Sequence, residues 1–343
     1  QANFAGTAIV PFSGNIGVKF IRTALGIDQH QVGLQPAYFV NPEDLGAIHA
    51  EHDFNDVLPA LNLAFYLREN LKLRFAYAKN MQLLDLDQWG GGLTLQYGIV
   101  AGSSPPIFAV LNGSQAGNPD LKPWRSSNYD LSLEYYIGRS SLLSLAVFYV
   151  DVASFIVNGS TLRCDLPDED GVVRNRCVAI SGPIQGSGKS LQGVEAAAKQ
   201  AFDFLPGFLA NFGVDLNFTL SPSNVGRDVA GNTIPFQDNS KEQANAILWY
   251  QNRRFQARLA GNYRSKRAVA QDYGGITGFE EYQAPTFYLD ASASYDVTSR
   301  IQLYVQGTNL TSEEEHYYLV WPDQKLHTGQ FESRDTVGIR GRL

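Results

Sequence analysis

A two-residue period governs this chain. From Tyr129 the apolar residues are Tyr129, Leu131, Leu133, Tyr135 and Ile137, with Asp130, Ser132 and Glu134 between them. From Phe212 they are Phe212, Val214, Leu216, Phe218 and Leu220, against Asn211, Gly213, Asp215, Asn217 and Thr219. The same alternation runs through Leu71–Tyr77, Phe255–Tyr263 and Phe287–Tyr295. Successive side chains of a strand point to opposite faces, so each run is a strand with one apolar and one polar face.

Alternation alone also fits a soluble sandwich. Three further features select a transmembrane antiparallel β-barrel. Several runs reach the length a tilted strand needs to cross a bilayer, about nine to eleven residues. Short turns, at Ser13–Asn15, Leu67–Asn70, Gly138–Ser140, Asp203–Gly207, Asn252–Arg254 and Thr298–Arg300, alternate with long loops near 25–52, 80–123, 158–188, 224–238, 266–284 and 311–329. Outer-membrane barrels show this asymmetry. Tyr66, Tyr135, Tyr136, Phe202, Phe204, Trp249, Tyr250 and Tyr295 gather near the short turns, as an aromatic girdle would. No apolar run is long enough for a membrane helix, the nearest, Leu142–Val157, being broken by Ser144, Asp151 and Ser154.

The reading gives about thirteen strands, an odd number, whereas single-chain bacterial barrels use an even one. An open sheet edge has no partners in lipid. The chain is therefore expected to be the C-terminal part of a barrel, over all of 1–343, with strands contributed from before Gln1. The net charge of −7 offers no basic stripe for nucleic acid. Cys164 and Cys177, the only cysteines, stand close together in a polar segment. They point to a loop disulfide made in an oxidising compartment, with free thiols as the alternative.

Residues 117–136, Gly-Asn-Pro-Asp-Leu-Lys-Pro-Trp running into Arg-Ser-Ser-Asn-Tyr-Asp-Leu-Ser-Leu-Glu-Tyr-Tyr, resemble a segment of TonB-dependent receptors. So do Leu191-Gln192-Gly193-Val194-Glu195, Asn309-Leu310-Thr311 and, more distantly, residues 13–20. The resemblance implies a barrel of about 22 strands, of which this chain is the last portion. It further implies a plug domain and TonB box outside this sequence, energisation through TonB, and a bacterial outer-membrane location. The implied function is active import of a scarce nutrient: a carbohydrate, another organic nutrient or a ferric siderophore. The general character is nearer the carbohydrate and organic-nutrient branch than a named siderophore receptor. The family usually ends in Phe or Tyr; this chain ends in Leu343.

Other motifs are set aside. Gly186-Ser187-Gly188-Lys189-Ser190 lacks a P-loop's first Gly, that position being Pro183, and runs into a strand. His49-Ala50-Glu51-His52, Asp168-Glu169-Asp170-Gly171 and Glu313-Glu314-Glu315 read as solvated loop residues, not metal sites. No nucleophile arrangement can be assembled, so no catalysis, cofactor or metal is expected. Trp89, Tyr97, Tyr273, Trp321 and His327 lie in the long loops and are the candidate ligand-binding residues, since rings stack on sugars or a chelate's organic body. Arg74, Arg258 and Arg264 are expected to line the lumen. Expected partners are TonB, a small-molecule or oligosaccharide ligand, and outer-membrane lipid and lipopolysaccharide. The competing readings are a passive porin, an adhesin or surface-complex subunit with a surface lipoprotein partner, and a soluble all-β binding protein.

Overall fold

The computed structural model describes residues 1–34, 43–100, 102–168, 170–174, 176–270, 273, 276 and 278–341. Glu169, Arg342 and Leu343 lie outside the described residues. In chain order the strands are β1 (Ala2–Thr7), β2 (Pro11–Leu34), β3 (Glu43–Arg68), β4 (Leu71–Gln82), β5 (Leu93–Ile99), β6 (Phe108–Gln115), β7 (Trp124–Ile137), β8 (Ser141–Arg163), β9 (Val178–Ala201), β10 (Phe212–Leu220), β11 (Gly226–Arg227), β12 (Thr233–Ile234), β13 (Glu242–Gln251), β14 (Phe255–Arg264), β15 (Arg267–Ala270), β16 (Glu281–Gln283), β17 (Thr286–Asp296), β18 (Ile301–Thr308), β19 (Glu314–Leu319), β20 (Lys325–Gln330) and β21 (Arg334–Gly341). One helical turn, α1 (Leu86–Trp89), precedes β5.

The main sheet holds 15 strands, and setting aside β5 and β6 leaves an antiparallel wall in the order β1-β2-β3-β4-β7-β8-β9-β10-β13-β14-β17-β18-β21. The wall is an open arc: among the described residues β1 pairs with β2 alone and β21 with β18 alone. It is thus part of a barrel and not a closed one. No helix among the described residues is long and apolar enough to cross a membrane.

Register explains why the alternation matters. Phe65, Leu73, Leu133 and Leu145 follow one another across neighbouring strands, and so do Tyr77, Tyr129 and Tyr149. Leu131, Leu133, Leu145, Val147, Phe218, Leu259 and Val305 are all largely exposed. An apolar face of this extent, open to the surroundings, suits hydrocarbon and not water. The opposite face is polar: Asn62 donates to Asn15, Asn245 to Asn217 at 2.7 Å and Asn262 to Asn245. Arg74 pairs with Glu134 at 2.8 Å on that face. Near the short turns it forms a concavity of about 810 Å³ lined by Lys199, Asp215, Trp249, Arg258, Tyr304 and Arg340.

Three expectations need correction. Ser13–Asn15 is not a turn but part of β2; the first turn spans 8–10. Gly14 serves close approach instead, since a Cβ there would lie 2.5 Å from the Asn62 carbonyl oxygen and 2.7 Å from the Phe4 ring. Tyr66, Tyr136 and Trp249 do not join the girdle. Tyr66 pairs across from Lys72 in the phase of Arg74, with the Lys72 ammonium over its ring. Tyr136 and Trp249 share the phase of Glu134 and Asp215 on the polar face, and they bond those carboxylates at 2.6 and 3.3 Å. The outward rings at that end include Phe4, Phe12 and Phe65, and Phe212, Tyr250 and Phe255, in two contacting rows. The long loops are not structureless either. Residues 25–34 and 43–52 continue β2 and β3, and 158–163 and 178–188 continue β8 and β9, as tall ribbons beyond the apolar band. Above the membrane a ribbon needs no apolar outer face, so no alternation announces it.

Candidate functional site: the mouth opposite the short turns

The segment between β4 and β7 folds inward. Leu25 and Ile27 share the strand phase of Asn15, and Phe54 that of Asn62, so all three face the enclosed side. Against them pack Leu84, Trp89 and Leu121. Gln88 Oε1 accepts the Asp85 N–H at 3.2 Å and starts α1, and the Trp89 indole N–H donates to Leu121 O at 2.8 Å. β5 then pairs parallel with the tip of β2, and β6 pairs parallel with β9. The insert therefore bridges the two tall ribbons. Only β5 and β6 lie between β2 and β9 on this route, whereas β3, β4, β7 and β8 lie between them along the wall. At about 4.8 Å per strand step, the bridge spans about 14 Å and the wall about 24 Å, so the ribbons lean together over the lumen.

The Asn-Pro-x-Leu-Lys-Pro stretch stitches this insert down. A Cβ on Gly117 would lie 2.4 Å from Asp87 O, a backbone crossing open only to Gly. Asn118 donates its N–H to Gln88 O at 2.8 Å and its Nδ2 to Pro183 O at 3.0 Å. The Lys122 N–H donates to Gln185 Oε1, and Ser154 Oγ to Pro123 O.

Cys164 and Cys177 are joined in the structure and close a small cap. Its Leu166 packs with Leu93, Leu95, Tyr97, Val110 and Ile180. Its Asp168, expected to be solvated, is instead buried: it accepts the Val110 N–H at 3.0 Å and pairs with Arg174 and Arg176. Burial pushes the Asp168 pKa up, but the Arg174, Val110 and Arg176 hydrogen bonds outweigh it and hold the group below its ordinary range. Asp170 stays exposed, and the hydrogen bonds from Arg174 hold it down to about 2.

Across the mouth stands a four-stranded sheet, β15-β16-β19-β20. The Tyr317 and His327 rings stack at 4.2 Å, with Glu281 Oε1 3.8 Å from His327 Nδ1. Glu315 accepts hydrogen bonds from Tyr288 Oη at 2.6 Å and Tyr317 Oη at 2.5 Å. Burial, then the bond to Glu315, pushes the Tyr317 phenol up to about 12. Tyr288 shares the strand phase of Asp290 and Ser292, so this cluster continues the enclosed face of the wall upward. Arg267 links the sheet to Asp238 at 3.1 Å, and Arg264 donates to Ser240 Oγ at 2.8 Å.

The five candidate ligand residues thus separate into two groups. Trp89 and Tyr97, 2% and 5% exposed, are packed into the insert and its cap and cannot touch a ligand arriving from outside. Tyr273, Trp321 and His327 remain accessible. The Tyr273 N–H donates to Phe279 O at 2.7 Å, and the Phe279 ring lies 6.5 Å from the Trp321 ring. Sequence reasoning missed Tyr317, Tyr288 and Phe279, and took Glu315 for a solvated acid. No local signal marked Glu315 or Tyr317: Glu314–Leu319 reads Glu-Glu-His-Tyr-Tyr-Leu, without polar–apolar alternation. Arg74, Arg258 and Arg264 all lie on the polar face, with Arg258 in its concavity. His49 sits on β3 between Asp28 and Glu51, at 2.7 and 3.2 Å. Among the described residues no group of acids, histidines or cysteines is arranged to hold a metal ion.

An antiparallel arc with an apolar outer face, a hydrophilic inner face, short turns at one end and a built-up mouth at the other is the wall of an outer-membrane β-barrel. The family described as TonB dependent receptor-like, beta-barrel, matches residues 12–310, and the chain belongs to that family of bacterial outer-membrane receptors. Among solved structures, a mutant of the ferric enterobactin receptor PfeA from Pseudomonas aeruginosa aligns with a TM-score of 0.61 at 14% identity, covering 98% of this chain and 52% of its own. The siderophore receptor PirA from Acinetobacter baumannii aligns at 0.55 and 15%, covering 91% of this chain and 50% of its own. The ferric-catecholate import receptor Fiu from E. coli aligns at 0.59 and 14%, covering 96% and 42%. The chain therefore spans about half the length or less of these receptors. No curated protein matches it.

Proposed function

We propose that the protein imports a scarce nutrient across the outer membrane, energised through TonB, and that a ferric siderophore is its substrate class. The family supports the transport reading, and neighbours named as ferric enterobactin, ferric-catecholate import and siderophore receptors favour the siderophore class over the carbohydrate one. The observation that carries the site is the set of accessible aromatic residues at the mouth: Trp321 against Phe279, Tyr273 bonded through its backbone to Phe279, and His327 stacked on Tyr317 between β20 and β19. Flat rings suit the planar organic body of a chelate, and the iron is cargo, with the chelator supplying its ligands.

The test uses the full-length receptor in its own outer membrane. Cells lacking it should lose growth on at least one ferric siderophore as sole iron source. Trp321→Ala with His327→Ala should weaken binding of that siderophore by about tenfold for each ring that stacks on it. Removing TonB should abolish uptake but not binding. Uptake that persists without TonB would point to a passive porin. Growth on every ferric siderophore unchanged by deletion, with loss on an oligosaccharide, would overturn the substrate class.

A further inference from the structure

Six connections join wall strands at the girdle end: 8–10, 69–70, 138–140, 202–211, 252–254 and 297–300. Arg139 lines the enclosed concavity. Four other arginines stand in or directly beside three of the connections: Arg68, Arg253, Arg254 and Arg300. All four are exposed, and among the described residues their side chains make no ion pair or hydrogen bond. Elsewhere arginines hold carboxylates, as Arg22, Arg74, Arg125 and Arg267 do. The acids in or directly beside these connections are Glu69, Asp203 and Asp296; Asp203 is engaged by Ser140 Oγ at 3.1 Å, and Asp296 accepts from Gln302 Nε2 at 2.9 Å. A chain whose net charge is −7 thus carries a cationic rim at this one end.

Solvated turns would account for the charge alone, but not for their neighbours. Ile9 is fully exposed, and Phe204 and Phe208 in the β9–β10 connection are 69% and 67% exposed. Leu67 and Val297, beside Arg68 and Arg300, are also exposed. Apolar residues standing out of turns, continuous with the girdle, place those turns inside the interfacial layer and not in bulk water. That layer holds lipid phosphates, and a planar guanidinium matches a phosphate with two parallel hydrogen bonds.

We propose that Arg68, Arg253, Arg254 and Arg300 form a rim that binds the phosphate groups of anionic glycerophospholipids in the leaflet at the short-turn end. The rim sets the depth of the wall in the membrane from that side, as the rings do by partition.

The test is native mass spectrometry of the full-length receptor released from detergent with phosphatidylglycerol. Wild type should retain several phosphatidylglycerol molecules. Arg253→Gln with Arg254→Gln and Arg300→Gln should retain fewer, with affinity falling about fivefold per arginine. Inorganic phosphate at millimolar concentration should not displace the lipid, because the bound group includes the acyl chains beside Phe204 and Phe208. Arg227→Gln, in the β11–β12 hairpin of the opposite end, should retain lipid as wild type does. Equal retention by the rim variant, equal loss in Arg227→Gln, or displacement by inorganic phosphate would each overturn the proposal. Should the triple variant fail to assemble, Arg300→Gln alone and the thermal shift of wild type on adding phosphatidylglycerol against a neutral glycolipid decide it. A shift no larger than the glycolipid's counts against it. Capture of an acidic soluble protein in place of lipid would also count against it.

Discussion

Asp56 is a carboxylate that the fold has taken out of water, and Arg125 meets it with two hydrogen bonds, Nε at 2.5 Å and Nη2 at 3.0 Å, while its guanidinium lies over the Phe54 ring. This bridge ties β3 to β7 at the foot of the insert. Arg125→Ala should lower unfolding free energy by about 3 kcal/mol, because a buried charge loses its partner. Arg125→Lys should recover only part, lacking the planar fork. Arg22→Ala, whose partner Asp53 is exposed, should cost under about 1 kcal/mol. Urea titration of the receptor in detergent micelles measures all three, and equal shifts for Arg125→Ala and Arg22→Ala would contradict the burial argument. At this scale the sequence was least legible. Trp89, Trp321 and Tyr97 look alike as loop aromatics, and only the partners of each, Leu121 O for one and the Phe279 ring for another, separate a core residue from a surface one.

At the scale of elements, the cap and the insert behave as one piece. Without the disulfide, Leu166 and Asp168 lose the loop closure that presents them to β5 and β6. Cys164→Ser with Cys177→Ser should speed amide hydrogen exchange across 93–99 and 108–115 at least tenfold, while β13 and β14 stay protected. Unchanged exchange there would show that the insert is held by its ribbons alone. The same pin should be acid-sensitive. Asp168 and Asp170 have folded pKa values below the ordinary carboxylate range, so their contribution is fully present above about pH 4. For Asp170 it is lost as pH falls from about 4 toward about 2. Protection over 164–177, with exchange corrected for each amide's intrinsic rate, should therefore fall between these values and stay level from pH 5 to 7, and Asp168→Asn should bring the loss to neutral pH. Intramembrane strands such as β7 and β14 could be read from their alternation, because lipid on one side and polar groups on the other impose it. The ribbons, β5, β6, β15, β16, β19 and β20 could not, because outside the bilayer both faces of a strand accept polar residues.

For the whole molecule, the thirteen-strand wall, its polar inner face and the family were all visible in one sequence, since the membrane dictates period, length and girdle together. The mouth was visible only as long segments between strands. Its construction depends on contacts between residues far apart, such as Asn118 with Pro183 and Tyr288 with Glu315, which no local pattern records. The account rests on which face of the wall meets hydrocarbon. Single cysteines placed from Tyr129 to Ile137 in a Cys164→Ser, Cys177→Ser background, spin-labelled in the assembled full-length receptor, test this directly. Labels at 129, 131, 133, 135 and 137 should be relaxed by lipid-soluble oxygen, and labels at 130, 132, 134 and 136 should not. Oxygen accessibility without a two-residue period, or with the opposite phase, would contradict the account.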